Sequence, residues 1–126
     1  MTTTTTGLMG ENIAARFVKR HGFRIIIRNY RKKWGELDIV AFKDGILHVF
    51  EVKSTKVSHF TEIRDRHRLE DNVHNNKLAR IRRTVQTFLV ETGRGVEVDF
   101  YFHVITVKID ARHLRNRICW IKNVVL

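Results

Sequence analysis

The sequence predicts a single α/β domain with its elements in the order helix, three strands, helix, strand. Two stretches, Gly10–His21 and Val73–Thr92, repeat their apolar residues at the spacing of a helix. Two apolar runs flank the pair Asp44-Gly45, which is typical of a tight β-hairpin. A further stretch, Val96–Ile109, places apolar residues at alternate positions, as a strand with one face against a core does.

Composition limits the kinds of protein this chain can be. Its 126 residues are 43% hydrophobic and 29% charged, which is enough for one folded core. No apolar run approaches the ~18 residues that a transmembrane helix needs, and the first residues lack the pattern of a secretory signal. The single cysteine, Cys119, excludes an internal disulfide and a thiolate zinc site. It fits a reducing compartment, so we expect a cytoplasmic protein.

The net charge of the chain indicates which class of partner it binds. The formal net charge is +11, and such a field attracts nucleic acid first and an anionic membrane second. We expect nucleic acid, most simply DNA, and no membrane. The candidate contacts are Arg28, Arg31, Lys32, Lys33, Lys77 and Arg80, with Tyr30 between the first two and Trp34 directly after Lys33. The alternative is a solvated basic loop and a solvated helix face.

The remaining boundaries follow from local signals. Residues 1–6 read as a disordered threonine-rich tail, and residues 7–126 as the domain. Glycines after both predicted helices are good helix terminators. The other predicted elements are a strand at Phe23–Asn29, a loop at Ser54–Asn72, a basic turn at Arg112–Arg117, and a last strand or docked tail at Ile118–Leu126. That last segment could also be the edge of a homodimer.

The hairpin brings acids together. If Asp44 and Gly45 are the central turn residues, then Asp38 faces Glu51 and Glu36 faces Lys53. Facing side chains lie about 4.5–5.5 Å apart, and like charges placed so are destabilising. A divalent cation would offset the repulsion, and oxygen ligands suit Mg²⁺, Mn²⁺ or Ca²⁺ better than zinc. The alternative is a Glu36–Lys53 ion pair beside acids on a solvated face.

A longer pattern surrounds these acids and resembles a known family. The matched positions are Gly10-Glu11, Ala14, Gly22, Arg28-Asn29-Tyr30-Arg31, Gly35-Glu36-Leu37-Asp38-Ile39-Val40 and Phe50-Glu51-Val52-Lys53. This set resembles the YraN family of small bacterial proteins, placed in the PD-(D/E)XK nuclease superfamily and similar in core to archaeal Holliday-junction resolvases. The resemblance implies a restriction-endonuclease-like three-layer fold, with a central mixed sheet flanked by helices and an α-β-β-β-α-β core.

The resemblance also implies roles for single residues. Asp38 and Glu51 would hold Mg²⁺ or Mn²⁺, with the Val52 carbonyl as a further ligand. Lys53 would orient the attacking water and stabilise the charged transition state, and Glu11 would be an accessory acid. We therefore expect a metal-dependent endonuclease acting on DNA, with branched or structured DNA among its substrates. The alternatives are a non-catalytic nucleic-acid-binding protein on the same scaffold, and a subunit that needs a partner to cut.

Overall fold

The computed structural model describes residues 5–57, 75–95, 98–110, 112–122 and 124. Within these ranges the chain forms two helices and five strands. The helices are α1 (Thr5–Arg20) and α2 (Asn75–Glu91). The strands are β1 (Arg24–Lys32), β2 (Gly35–Lys43), β3 (Ile46–Lys56), β4 (Phe100–Asp110) and β5 (Arg115–Ile121).

The strands form one mixed sheet in the order β1-β2-β3-β4-β5. Three neighbouring pairs are antiparallel, and β3 pairs with β4 in parallel. This parallel pair requires a crossover connection, which contains α2. The predicted α/β fold is confirmed, and its helices on the two faces of a mixed sheet are consistent with a restriction-endonuclease-like arrangement.

Each face of the sheet carries a buried core. On one face, Ala14, Ala15 and Val18 of α1 pack with residues such as Ile39, Phe50 and Ile105 of the central strands. On the other face, α2 packs against alternate residues of the same strands. That second core contains Leu37, Val40, Leu47, Val49, Ile81, Val85, Phe88, Leu89, Phe102 and Val104. The apolar character of both strand faces in the sequence is therefore explained by two covering helices.

The hairpin register is the one that the sequence predicts. Lys43 pairs with Ile46, and the ladder runs back through Val40–Val49 to Ile39–Phe50. The turn residues Asp44 and Gly45 have φ values of 52° and 77°. Both are in the left-handed region that a two-residue hairpin of this type requires and that Asp-Gly tolerates.

Several predicted boundaries differ from the structure. Helix α1 begins at Thr5, so the predicted disordered tail is wrong for Thr5 and Thr6; residues 1–4 are outside the described ranges. Strand β1 continues to Lys32, because the basic stretch pairs with β2. Strand β5 begins at Arg115, inside the predicted turn, because its antiparallel pairing with β4 starts there. Most of the loop predicted at residues 54–72 is outside the described ranges, although β3 extends to Lys56.

Two glycines let the helices approach the sheet beside the predicted site. A Cβ on Gly10 of α1 would lie 2.6 Å from the Cβ of Ser54 on β3. A Cβ on Gly35 of β2 would lie 3.3 Å from the Arg80 carbonyl oxygen on α2. Neither described helix is both long and apolar enough to span a membrane.

Candidate active site

The site is built where two strands separate. The β2–β3 ladder ends at Ile39–Phe50. Beyond that pair β2 continues alongside β1 to Gly35, while β3 continues alongside β4 to Lys56. In the fork between them, the Asp38 carboxylate oxygen Oδ2 accepts a hydrogen bond of 2.8 Å from the backbone N–H of Val52. The side chain of Asp38 thus takes the place of the next ladder partner.

The fork explains why the two predicted facing pairs of charged residues are wrong. Asp38 and Glu51 are not ladder partners, and neither are Glu36 and Lys53, because the strands diverge one pair too early. Glu36 instead faces Arg31 on β1, and their side chains form an ion pair of 3.2 Å. The two acids Asp38 and Glu51 nevertheless remain close enough to interact electrostatically.

A break in strand alternation aims Asp38 into the fork. Side chains two apart on a strand normally share a face. Leu37 nevertheless packs in the α2 core and Ile39 in the α1 core. On β1 the same break falls at Asn29, whose φ is 55° and which lies between the pairs Arg28–Ile39 and Tyr30–Leu37. Asparagine is among the residues that best tolerate this backbone conformation.

The environment of Asp38 disfavours its charged form. Burial raises the pKa of the Asp38 carboxyl to about 7, from an ordinary value of 3.8. The hydrogen bond from Val52 opposes this rise, whereas the negative charges of Glu36, Glu51 and Glu11 add to it. A carboxylate that is both desolvated and surrounded by acids is a candidate site for a cation.

Glu51 lies on β3 and is approached by two lysines. Its oxygen Oε1 is 2.6 Å from Nζ of Lys77 on α2 and 3.8 Å from Nζ of Lys53. Val49, two residues earlier on the strand, packs in the α2 core, so Glu51 and Lys53 share the α2 face. The predicted neighbourhood of Glu51 and Lys53 is confirmed, and Lys77 joins it from the helix.

Glu11 enters from the first turns of α1, on the other face. Burial raises the pKa of the Glu11 carboxyl, Glu36 raises it further, and the guanidinium groups of Arg28 and Arg31 lower it. Arg28 also donates a 2.9 Å hydrogen bond to Oδ1 of Asn12. Glu11 is therefore an acid at the rim of the fork, within electrostatic range of Asp38.

The predicted basic contacts are spread over the surface around the fork. Lys33 is exposed in the turn between β1 and β2, and Arg80 is exposed on α2. Lys32 points away from the acids of the fork, because its Nζ pairs at 2.8 Å with Glu91 at the end of α2. The Tyr30 hydroxyl donates to the same carboxylate. Trp34 packs against the Arg83 guanidinium, whose carbon lies 4.3 Å from the ring centre.

The donor set fits a hard divalent cation only in part. Among the described residues, no group of three or more His, Cys, Asp or Glu side chains is arranged to hold a metal ion. Asp38 and Glu51 offer two carboxylates. The N–H and C=O of one strand residue point to the same side, so the Val52 carbonyl also faces the fork. Mg²⁺ commonly uses one or two carboxylates and completes its shell with water and phosphate, so these residues suit Mg²⁺ or Mn²⁺.

Sequence reasoning missed two contacts of this site. The Arg31–Glu36 pair could have been found, because a two-residue turn at Lys33-Trp34 puts those residues opposite each other. The Lys77–Glu51 pair joins residues that are distant in sequence, and only a weak signal pointed to it. Helix α2 has no acidic residue in its first turn, so a lysine there needs a partner from elsewhere.

Comparison with known proteins identifies the family of this chain. A protein-family model described as "Uncharacterised protein family UPF0102" matches residues 10–112. A UPF0102 protein of Campylobacter jejuni (strain RM1221) is 35% identical over 104 residues, which cover 82% of this chain and 84% of the relative. A UPF0102 protein of Campylobacter hominis is 33% identical over 120 residues, 95% and 93% of the two chains. UPF0102 is the family named YraN above, so these matches confirm the predicted family. The chain belongs to the UPF0102 family.

Proposed function

We propose that this protein is a divalent-metal-dependent endonuclease of the PD-(D/E)XK superfamily that hydrolyses phosphodiester bonds of DNA. The observation that carries the proposal is the Asp38 carboxylate in the fork between β2 and β3, beside Glu51 and Lys53. Its charged form is disfavoured by burial and by three neighbouring acids, which is typical of a site that awaits a cation. The single cysteine, which fits a reducing compartment, favours the cytoplasm.

The chemistry follows from the donor set. A divalent cation held by Asp38, Glu51 and the Val52 carbonyl would activate water and neutralise phosphate charge. Lys53 lies on the same strand face as Glu51, with its Nζ 3.8 Å from the carboxylate. Its ammonium group would orient water and stabilise the negative charge that develops on the phosphate oxygens.

The charge distribution favours a polyanionic substrate. Four acids, Glu11, Glu36, Asp38 and Glu51, interact at the fork, while the chain as a whole carries +11. Positive potential around a negative site concentrates nucleic acid at the surface, and the cation then makes the site itself acceptable to phosphate. Branched DNA is the favoured substrate class because of the resemblance to resolvases, and it is one arm of the test.

The test combines metal binding with cleavage. Mn²⁺ and Mg²⁺ would be titrated calorimetrically into wild type, Asp38→Ala and the exposed control Asp99→Ala. Branched, linear duplex and single-stranded DNA would be assayed for cleavage in parallel, with Lys53→Ala added. We expect Asp38→Ala to lose metal binding and cleavage, and Lys53→Ala to lose cleavage but keep salt-sensitive DNA binding. Metal binding that survives in Asp38→Ala would refute the proposed site.

A second candidate is a nucleic-acid-binding protein without turnover of its own. It is favoured by the lack, among the described side chains, of a complete metal-binding group, and by the Lys77 ammonium on Glu51. This candidate predicts that neutralising Lys33 or Arg80 weakens DNA binding, that Lys53→Ala does not, and that no DNA is cut with any metal. Cleavage by wild type that Asp38→Ala abolishes would exclude it.

A further inference from the structure

The Glu51 carboxylate already has a cationic partner. Nζ of Lys77 lies 2.6 Å from Oε1, which is shorter than the 2.8 Å between Lys32 and Glu91. The side chains of Glu51 and Lys77 are 19% and 24% exposed, so this pair is also more shielded from water than the Lys32–Glu91 pair. Shielding strengthens an ion pair relative to one in open solvent.

Lys77 stands at a poor position for its own helix. It lies in the first turn of α2, which contains no acidic residue. A helix N-terminus carries a partial positive charge, so a cation in the first turn is unfavourable by about 0.3–1 kcal/mol. The contact with Glu51 on β3 offsets that repulsion. The lysine therefore depends on a carboxylate that the proposed function assigns to a metal ion.

One carboxylate oxygen cannot serve two cations at full strength. A divalent ion bound at either oxygen of Glu51 would repel the Lys77 ammonium at Oε1, and so weaken Glu51 as a counter-ion for Lys77. A backbone phosphate of nucleic acid beside the site would be its natural replacement. The same exchange works in reverse, because a phosphate that draws Lys77 away leaves Glu51 available to a cation.

We propose that Lys77 is an exchangeable counter-ion, which holds Glu51 in the metal-free protein and passes to a substrate phosphate when a divalent cation binds. This inference rests on the proposed function and adds a coupling to it. Metal and nucleic acid strengthen each other's binding through Lys77. The factor by which nucleic acid raises the metal affinity must equal the factor by which metal raises the nucleic-acid affinity. Lys77 thereby neutralises Glu51 in the metal-free protein and a substrate phosphate when the cation is bound.

The first test measures metal affinity without DNA. Mn²⁺ would be titrated calorimetrically into wild type, Lys77→Met and Arg80→Met. Methionine keeps an unbranched apolar stem and removes the charge, and Arg80, three residues along on exposed α2 surface, controls for the loss of one positive charge from the helix. We expect Lys77→Met to bind Mn²⁺ about fivefold to tenfold more tightly, as the loss of a partly shielded competing ion pair implies. Arg80→Met should change the affinity by about twofold or less.

The second test measures the coupling itself. In a Lys53→Met background, which keeps the DNA uncut, Mn²⁺ affinity would be measured with and without a saturating short duplex. With Lys77 present, the duplex should tighten Mn²⁺ binding about fivefold or more, whereas Lys77→Met should show about twofold or less. Gel electrophoresis of the recovered duplex verifies that it is intact.

The outcomes separate this inference from the proposed function. If wild type binds Mn²⁺ through Asp38 but Lys77→Met binds no more tightly than Arg80→Met, the exchange is refuted and the metal site stands. Weaker binding by Lys77→Met would refute it as well, since Lys77 would then support the metal-loaded state. If neither wild type nor Lys77→Met binds Mn²⁺, both the site and the exchange are wrong.

Discussion

Replacing Asp38 by asparagine should stabilise the metal-free protein, and the gain should grow with pH. The fold raises the pKa of the Asp38 carboxyl from 3.8 to about 7. At about 1.4 kcal/mol per pH unit, burying the ionised carboxylate costs the folded state about 4 kcal/mol. The amide oxygen of asparagine can still accept the hydrogen bond from Val52, so the substitution removes the charge and keeps the contact.

The sign of the pH dependence follows from proton binding. Asp38 holds its proton more tightly in the folded chain, so its contribution to the free energy of unfolding falls as pH rises from 3.8 to about 7 and levels off above that. Between about pH 5 and about pH 8 this fall amounts to about 2.5 kcal/mol. The Asp38→Asn variant lacks the titration, so its advantage over wild type should widen by that amount.

Urea denaturation in the presence of a chelator, at those two pH values, measures the difference. Asp99→Asn removes one carboxylate from an exposed position and should leave the wild-type pH dependence unchanged. Adding Mn²⁺ at the higher pH should stabilise wild type and leave Asp38→Asn unaffected, because a ligand that binds only the folded state raises its stability. An advantage that stays constant with pH would refute the argument and indicate a well-solvated Asp38.

Three further predictions concern the frame around the site. Burial, reinforced by the positive charges of His48 and Lys122, lowers the pKa of His103 to about 4, so protonation of His103 should cost the folded state about 3 kcal/mol between pH 6.5 and about 4; in an Asp38→Asn background, which lacks the opposing titration of Asp38, His103→Gln should flatten that fall in urea denaturation. Gly10→Ala should destabilise by about 1–3 kcal/mol, because its Cβ would lie 2.6 Å from that of Ser54; adding Ser54→Gly should restore stability, and Ser54→Ala should not. Lys33→Ala should reduce the salt dependence of DNA binding by about one phosphate contact, measured as a slope change near 0.9, and an unchanged slope would exclude Lys33 from the interface.

The register of the hairpin could be predicted because it depends on local chemistry. Asp44-Gly45 fixes the turn, and the turn fixes every pair as far as Ile39–Phe50. The end of the ladder could not be predicted in the same way. It depends on β3 pairing with β4, which follows it in the chain only after α2, and on the alternation break at Asn29. Such long-range pairing leaves no signal in the spacing of residues within the hairpin.

The structure brings the candidate acids near one another, but through contacts other than the predicted ones. Charge and spacing suggested that Lys53 would neutralise Glu36, whereas Arg31 does so from β1. The sequence predicts Lys77 only as a nucleic-acid contact, and its contact with Glu51 is an addition that the fold supplies. Ion-pair partners depend on which elements the fold brings together. The sequence therefore identifies charged residues near a site more readily than it identifies their partners.

The position of Asp38 argues for function more strongly than the motif around it. Asparagine could accept the Val52 hydrogen bond equally well, and it would avoid a cost of about 4 kcal/mol. A structural role for the side chain would therefore be served better by the amide. The carboxylate gains over the amide only when its negative charge is used. Burial and neighbouring acids oppose that charge in the metal-free protein, which supports the proposal that a bound cation is what uses it.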